Sequence, residues 1–283
     1  MIDATVRWTL YIVALVLIGP IAGVLMGLTD GPDGSAGTAV VSTSPTVGVI
    51  CLLLGSILAA GIGALAAWRC GLRPGLTCAG IVVCWMAGMS ASTLSTLSAT
   101  GDAPWGSFVI EGVIVAVCLV GIGILVALAA QRHTPRPGEH VTRQSAEAME
   151  TEQSLSFSPR SAAAVAIAAA GGGAVAWALA ATDLKGQIIA AAAIAAIAIA
   201  VVVKLVDLKT PAIGALAAAA LLAIVGPAYA MATVPAETAL AAAYAQALPG
   251  IVRLTPLDWA AGTLLGTPIG LAWAVSIVKR AET

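Results

Sequence analysis

The residue best placed to do chemistry in this chain is Glu111. It is the only acid well inside a long apolar stretch, and it lies six residues beyond Trp105. On a helix that offset is a depth of about 9 Å. An ionisable group at such depth is costly to bury and by default marks function. A second polar feature precedes it, the run Ser90-Ala91-Ser92-Thr93-Leu94-Ser95-Thr96-Leu97-Ser98. On a helix, Ser92, Ser95 and Thr96 share one face. A short link between two antiparallel helices would set Ser95 and Glu111 at similar depth. The candidate intramembrane site is therefore Glu111 with Ser92, Ser95 and Thr96, a hydroxyl–carboxylate cluster suited to a cation, a proton or a small polar solute. The competing reading is hydrogen bonding between helices, roughly 0.6 kcal/mol per contact, with Glu111 reaching up to the interface.

The elements that must position these residues are membrane helices. The chain has 283 residues, 60% hydrophobic and 10% charged, whereas soluble domains carry about 25% charged residues. Spans are expected at 8–28, 47–68, 76–98, 106–130, 161–181, 188–206, 212–231 and 258–278, each about 19–25 residues and long enough to cross a bilayer. The first apolar run is too long for a removed signal segment. Of the 13 lysines and arginines, all but Lys185 and Arg253 fall at the termini or in alternate loops. Positive charge stays on the cytoplasmic side. The expected fold is all-α: a polytopic bundle of about eight transmembrane helices in two groups of four, in the cell (inner) membrane, with both termini cytoplasmic. Residues 1–130 form the first half, 131–160 a charged cytoplasmic linker, and 161–283 an Ala-rich second half. Any repeat between the halves would be parallel, although no residue-level self-similarity supports one.

Local signals sharpen the cuts. Ser44-Pro45, Ser158-Pro159, Thr210-Pro211 and Thr255-Pro256 each set a capping hydroxyl before a proline, a helix-start pattern. Trp8 and Trp68 are expected at the inner interface, and Trp105, Trp177 and Trp259 in an outer aromatic belt. Gly19, Gly23 and Gly27 on the first helix, and Gly262, Gly266 and Gly270 on the last, make four-residue ladders for helix packing. Pro20, Pro227 and Pro268 should loosen their helices. Residues 232–255 hold Pro235 and Pro249 around a short helix. It is too short to span and is expected as a surface helix or as a lid.

Several chemistries are excluded. Both histidines, His133 and His140, lie in the linker, so no span offers a histidine haem ligand. No zinc-protease or serine-hydrolase motif occurs. The cysteines (Cys51, Cys70, Cys78, Cys84, Cys118) form no CxxC pair and are expected as reduced packing residues. No cofactor, metal or nucleic acid is expected. The expected partners are the lipid bilayer and either another membrane protein or a second copy of the chain. These observations point to a non-enzymatic small permease, or the membrane subunit of a transport system. The alternative is a non-catalytic scaffold or assembly subunit.

Overall fold

The computed structural model describes residues 2–31, 34–35, 37–132 and 158–281, with side chains excluded at 2–3 and 278–281. Most of the expected 131–160 linker, including both histidines, lies outside the described residues. Within them the chain is all-helical, and eight helical stretches are long and apolar enough to cross a membrane. The first comprises α1 (Ile2–Val13), a π-turn (Ala14–Ile18) and α2 (Gly19–Gly27). α3 (Pro45–Cys70) follows. α4 (Leu72–Met89) and α5 (Thr93–Thr100) share the third, and α6 (Trp105–Gln131) is the fourth. The second half contributes α7 (Pro159–Leu179), α8 (Lys185–Val206), α9 (Ala212–Thr233) and α12 (Pro256–Ala281). Two short helices, α10 (Ala236–Tyr244) and α11 (Gly250–Arg253), precede α12.

Two expected helices are not continuous, each for a local reason. In the first, Pro20 has no N–H to give Val16, and the Gly19 N–H reaches back to the Ala14 carbonyl instead. The result is one widened π-turn before the proline. In the third, the helix stops at Met89 and the backbone is extended at Ser90 and Ser92. Ser92 then starts α5 with a capping box, in which Ser92 and Ser95 satisfy each other's backbone N–H groups. A serine-rich run offers the backbone such local partners, and they compete with helix propagation. The expected single hydroxyl face over residues 92–96 is therefore a helix start.

Small residues set the packing. On α2, Gly19 and Gly23 make room for Trp85 and Met89 of α4. On α12, Gly262, Gly266 and Gly270 lie against the backbone and methyl groups of Ala192, Ala193, Ala196, Ile197 and Ala200 of α8. The halves share one interior. Gly80 of α4 packs on Leu264 and Leu265 of α12, and Gly123 of α6 on Leu216 and Ile213 of α9. Gly112 of α6 packs on the Ala223 carbonyl, whose helical N–H partner is missing because residue 227 is proline. Of the three Ala-rich helices, α8 and α9 lie largely inside the bundle, whereas α7 does not, so alanine content alone does not set burial. α7 and the first span are the least covered.

One turn ties α7, α8 and α9 together. Asp207 accepts hydrogen bonds from the Ser161 hydroxyl (2.9 Å), the Thr210 hydroxyl (3.0 Å) and the Lys209 N–H (3.1 Å). Lys204 donates to the Thr210 carbonyl at 2.6 Å. Burial opposes the charge on Asp207, but these donors and nearby Arg160 outweigh it and hold its carboxyl below the usual aspartate range.

Two outcomes are expected in detergent-solubilised protein. A Cβ at Gly266 would overlap the Ala193 carbonyl, so Gly266→Ala should destabilise the fold by about 1–3 kcal/mol. Gly121 has open space around it, so Gly121→Ala should be neutral or stabilising by up to about 1 kcal/mol. Thermal unfolding compares the two. For Asp207, the folded value is the lower one. Its stabilisation is complete above the unfolded-state value and is lost as pH falls through the folded value. An acid titration of thermal stability should show that loss in the native chain and lack it in Asp207→Asn.

Candidate functional site

The 28–44 loop, the α4–α5 break and the segment before α12 meet at one end of the bundle and are bonded to one another. The Ala91 N–H donates to the Gly37 carbonyl at 2.9 Å, joining the 28–44 loop to the α4–α5 break. The Thr93 hydroxyl donates to the Val252 and Arg253 carbonyls at 3.2 and 3.1 Å. Within residues 232–255, α10 is a largely exposed surface helix that buries only Ala239 and Ala243, whereas α11 is buried. α10 lies on α5 and α11 on α7. Arg253 sits buried in their midst, donating to the Ala181, Gln246 and Leu248 carbonyls and to the Gln246 side chain, with Asp183 at 3.6 Å.

Glu111 lies beneath this layer, 1% exposed. Its carboxylate is held from the 28–44 loop. The Thr38 hydroxyl donates to Oε2 at 2.5 Å, and the Val40 N–H donates to the same oxygen at 3.1 Å. Thr38 is itself fixed, because its hydroxyl accepts from the Val41 N–H at 3.1 Å. Ser92, Ser95 and Thr96 do not bond Glu111. Ser92 and Ser95 bond each other, and Thr96 donates to the Ser92 carbonyl at 2.8 Å. The four expected site residues therefore divide. Glu111 faces the loop, and the three hydroxyls serve the start of α5.

Two charged residues near Glu111, neither of them bonded to it, were not expected from sequence. Lys185 at the start of α8 and Asp258 in the first turn of α12 are within electrostatic reach of it. Lys185 Nζ contacts Asp258 Oδ1 at 2.9 Å and the Ser90 hydroxyl at 3.4 Å. Asp258 is wholly buried. Its other oxygen accepts from the Thr255 hydroxyl at 2.6 Å and from the Thr255 N–H at 2.9 Å. The island thus joins α4, α6, α8, α12 and the 28–44 loop, and holds two carboxylates to one ammonium.

Signals for these residues were present in the sequence. Lys185 and Arg253 are the two basic residues on the wrong side of the charge pattern, and each is neutralised by an aspartate, Asp258 or Asp183. Thr255-Pro256-Leu257-Asp258 is a capping-box spacing. Trp105 and Trp259, expected in the outer belt, are buried instead at 4% and 0% exposure. Their helices start under the loop layer, so the indoles pack inward. Trp177 is half exposed, as a belt residue should be.

Below the island, α12 carries further polar groups without partners. The Thr263 and Thr267 hydroxyls and the Trp259 N–H are buried and make no hydrogen bond. They recur every four residues and so line one face. Such groups are uncommon inside proteins, and each calls for an explanation. The five cysteines are free. Among the described residues, no cluster of acids, cysteines and histidines has the makings of a metal site. No protein-family model matches this chain, and no curated protein or solved structure is significantly similar to it.

The ion pair gives a direct test. Removing Lys185 leaves Asp258 buried without its counter-charge, which costs on the order of 3 kcal/mol. Lys185→Met should therefore lower thermal stability by about that much, and adding Asp258→Asn should recover most of the loss. A double-mutant cycle read by thermal unfolding checks it.

Proposed function

We propose that this integral membrane protein is a small permease, or the membrane subunit of a transport system, for a small polar solute or ion. One observation carries the reading. Glu111 is buried in an island whose charges do not balance, and it is held by a loop that also borders the open end of the bundle. Two carboxylates and one ammonium leave a place for one positive charge, and a proton or a cationic solute would fill it. A bundle built only for assembly would bear the cost of a buried acid at this depth merely to anchor the 28–44 loop. The unpartnered hydroxyls of Thr263 and Thr267 support the same reading, since they extend the polar face of α12 away from the island. Pro268 lies one residue beyond them and deprives the Leu264 carbonyl of its helical donor.

In this reading the loop-rich end faces outward, as the basic-residue pattern expects, and both termini are cytoplasmic in a cell (inner) membrane. No covalent step is involved. A scaffold role has one observation in its favour, a lateral groove of about 720 Å³ between α7 and α9. It is lined by Ala166, Ala170, Gly173 and Ala174, with Trp177 and Tyr229 also bordering it, and small residues of this kind admit a partner helix.

Mild-detergent purification followed by a solute-panel thermal shift separates the two. A permease should be stabilised by one class of solute, and Glu111→Gln should abolish that shift while leaving yield and oligomeric state unchanged. Stoichiometric partner proteins with no solute shift, or a shift indifferent to Glu111→Gln, would favour the scaffold.

A further inference from the structure

A cavity of about 220 Å³ opens at the loop-rich end, beside the loop that holds Glu111. Hydroxyl residues dominate its wall: Thr29, Ser35, Ser42, Thr43, Thr96 and Thr100. Their hydrogen-bond state determines what the cavity can recognise. Thr29 donates to the Met26 carbonyl at 2.7 Å, Thr96 to the Ser92 carbonyl at 2.8 Å, and Thr100 to the Thr96 and Asp102 carbonyls at 2.9 and 2.6 Å. Three hydroxyls have thus committed their hydrogens to the backbone, and what they retain is lone pairs. The Ser42 hydroxyl is buried and has no partner. Three of the six hydroxyls therefore offer only acceptors to the cavity, and N–H donors from a ligand would satisfy them together with the Ser42 oxygen.

The field around it is negative. The Asp30 carboxylate accepts the Gly37 N–H at 3.2 Å, on the loop that forms the wall. Asp102 sits at the end of the next loop, and neither loop contains a lysine or arginine. Glu111 stands behind the wall, one hydroxyl away. Val41 lines the cavity, its N–H bonds Thr38, and Thr38 bonds Glu111. Lys185 is paired with Asp258, so the charges that the two bordering loops contribute, Asp30 and Asp102, are both acidic. The volume is below the roughly 300–1,000 Å³ of drug-sized sites. It is also too roomy to wrap a bare metal ion, whose oxygen ligands stand at about 2.0–2.6 Å.

We propose that this hydroxyl-lined cavity is a recognition site for a small primary ammonium, a compact cation carrying several N–H donors. The inference rests on the permease reading and names its solute class. The N–H groups would be taken by the lone pairs of Thr29, Thr96 and Thr100 and by Ser42. The charge would be met by the field of Asp30 and Glu111. Occupancy is tied to Glu111 through the Val41–Thr38 chain of hydrogen bonds.

The test uses the full chain in mild detergent, with methylammonium chloride titrated against thermal stability. Tetramethylammonium chloride and sodium chloride at equal concentration are the comparison arms. Tetramethylammonium carries the charge without N–H donors, and sodium reports general salt effects. Methylammonium should give a saturable stabilisation that neither other cation gives. Ser42→Ala and Thr96→Val should each weaken its apparent affinity about tenfold, the scale of one hydrogen bond to a charged group. Ser98→Ala, outside the cavity, should not change it. Equal stabilisation by all three cations would overturn the proposal, as would a methylammonium effect indifferent to both cavity variants, or no effect at all. If methylammonium fails while a different solute stabilises the native chain and not Glu111→Gln, the permease reading stands and only the solute class falls.

Discussion

The ion pair between Lys185 and Asp258 organises the loop-rich end of this bundle. A charge in the interior of a membrane protein has no water to fall back on, and its partners must come from the fold. Lys185 begins α8 and Asp258 begins α12, so their contact at 2.9 Å pins the starts of the two helices together. Below that point the alanines of α8 and the glycines of α12 keep the backbones close for about two turns. Above it, Thr255 caps Asp258 and starts the last helix just after the short helices that cover the bundle. Without the pair, Asp258 would keep only its hydrogen bonds from Thr255 and would be a buried carboxylate with no counter-charge.

The same pair gives Glu111 its significance. With Lys185 occupied by Asp258, Glu111 has no counter-ion of its own and relies on two donors from one loop. Hydroxyl and amide donors can hold a carboxylate, but they do not cancel its charge. A carboxylate in that condition is sensitive to whatever positive species arrives, and the loop that holds it is the wall of an acceptor-lined cavity. The structure therefore links a surface cavity, a loop and a buried charge in one short chain of contacts.

Much of the architecture was legible in the sequence because membrane helices announce themselves by length and composition. All eight spans fall close to their expected ranges, and the glycine spacing on α12 marks the face that meets α8. What could not be read was which polar group would meet which. Glu111 was conspicuous, but its partner Thr38 lies 73 residues earlier in a loop without periodicity. Ser92 and Ser95 suggested a helix face because helical spacing was assumed. A capping box uses the same residue types at the same spacing, and the break after Met89 decided between them. Trp105 and Trp259 looked like belt residues, because a hydropathy profile does not reveal that loops will fold over a helix start.

The proposed role of Glu111 in passage of a small polar solute or ion sets it apart from a buried packing residue. The most direct measurement is solute-driven current in proteoliposomes containing the full chain, recorded on a solid-supported membrane for native protein and for Glu111→Gln reconstituted at equal density. A transient current with one class of small polar solute is expected from the native protein, and none from the variant. Silence from the native protein across cations, amines and neutral polar solutes would contradict that role, as would currents of equal size from both proteins.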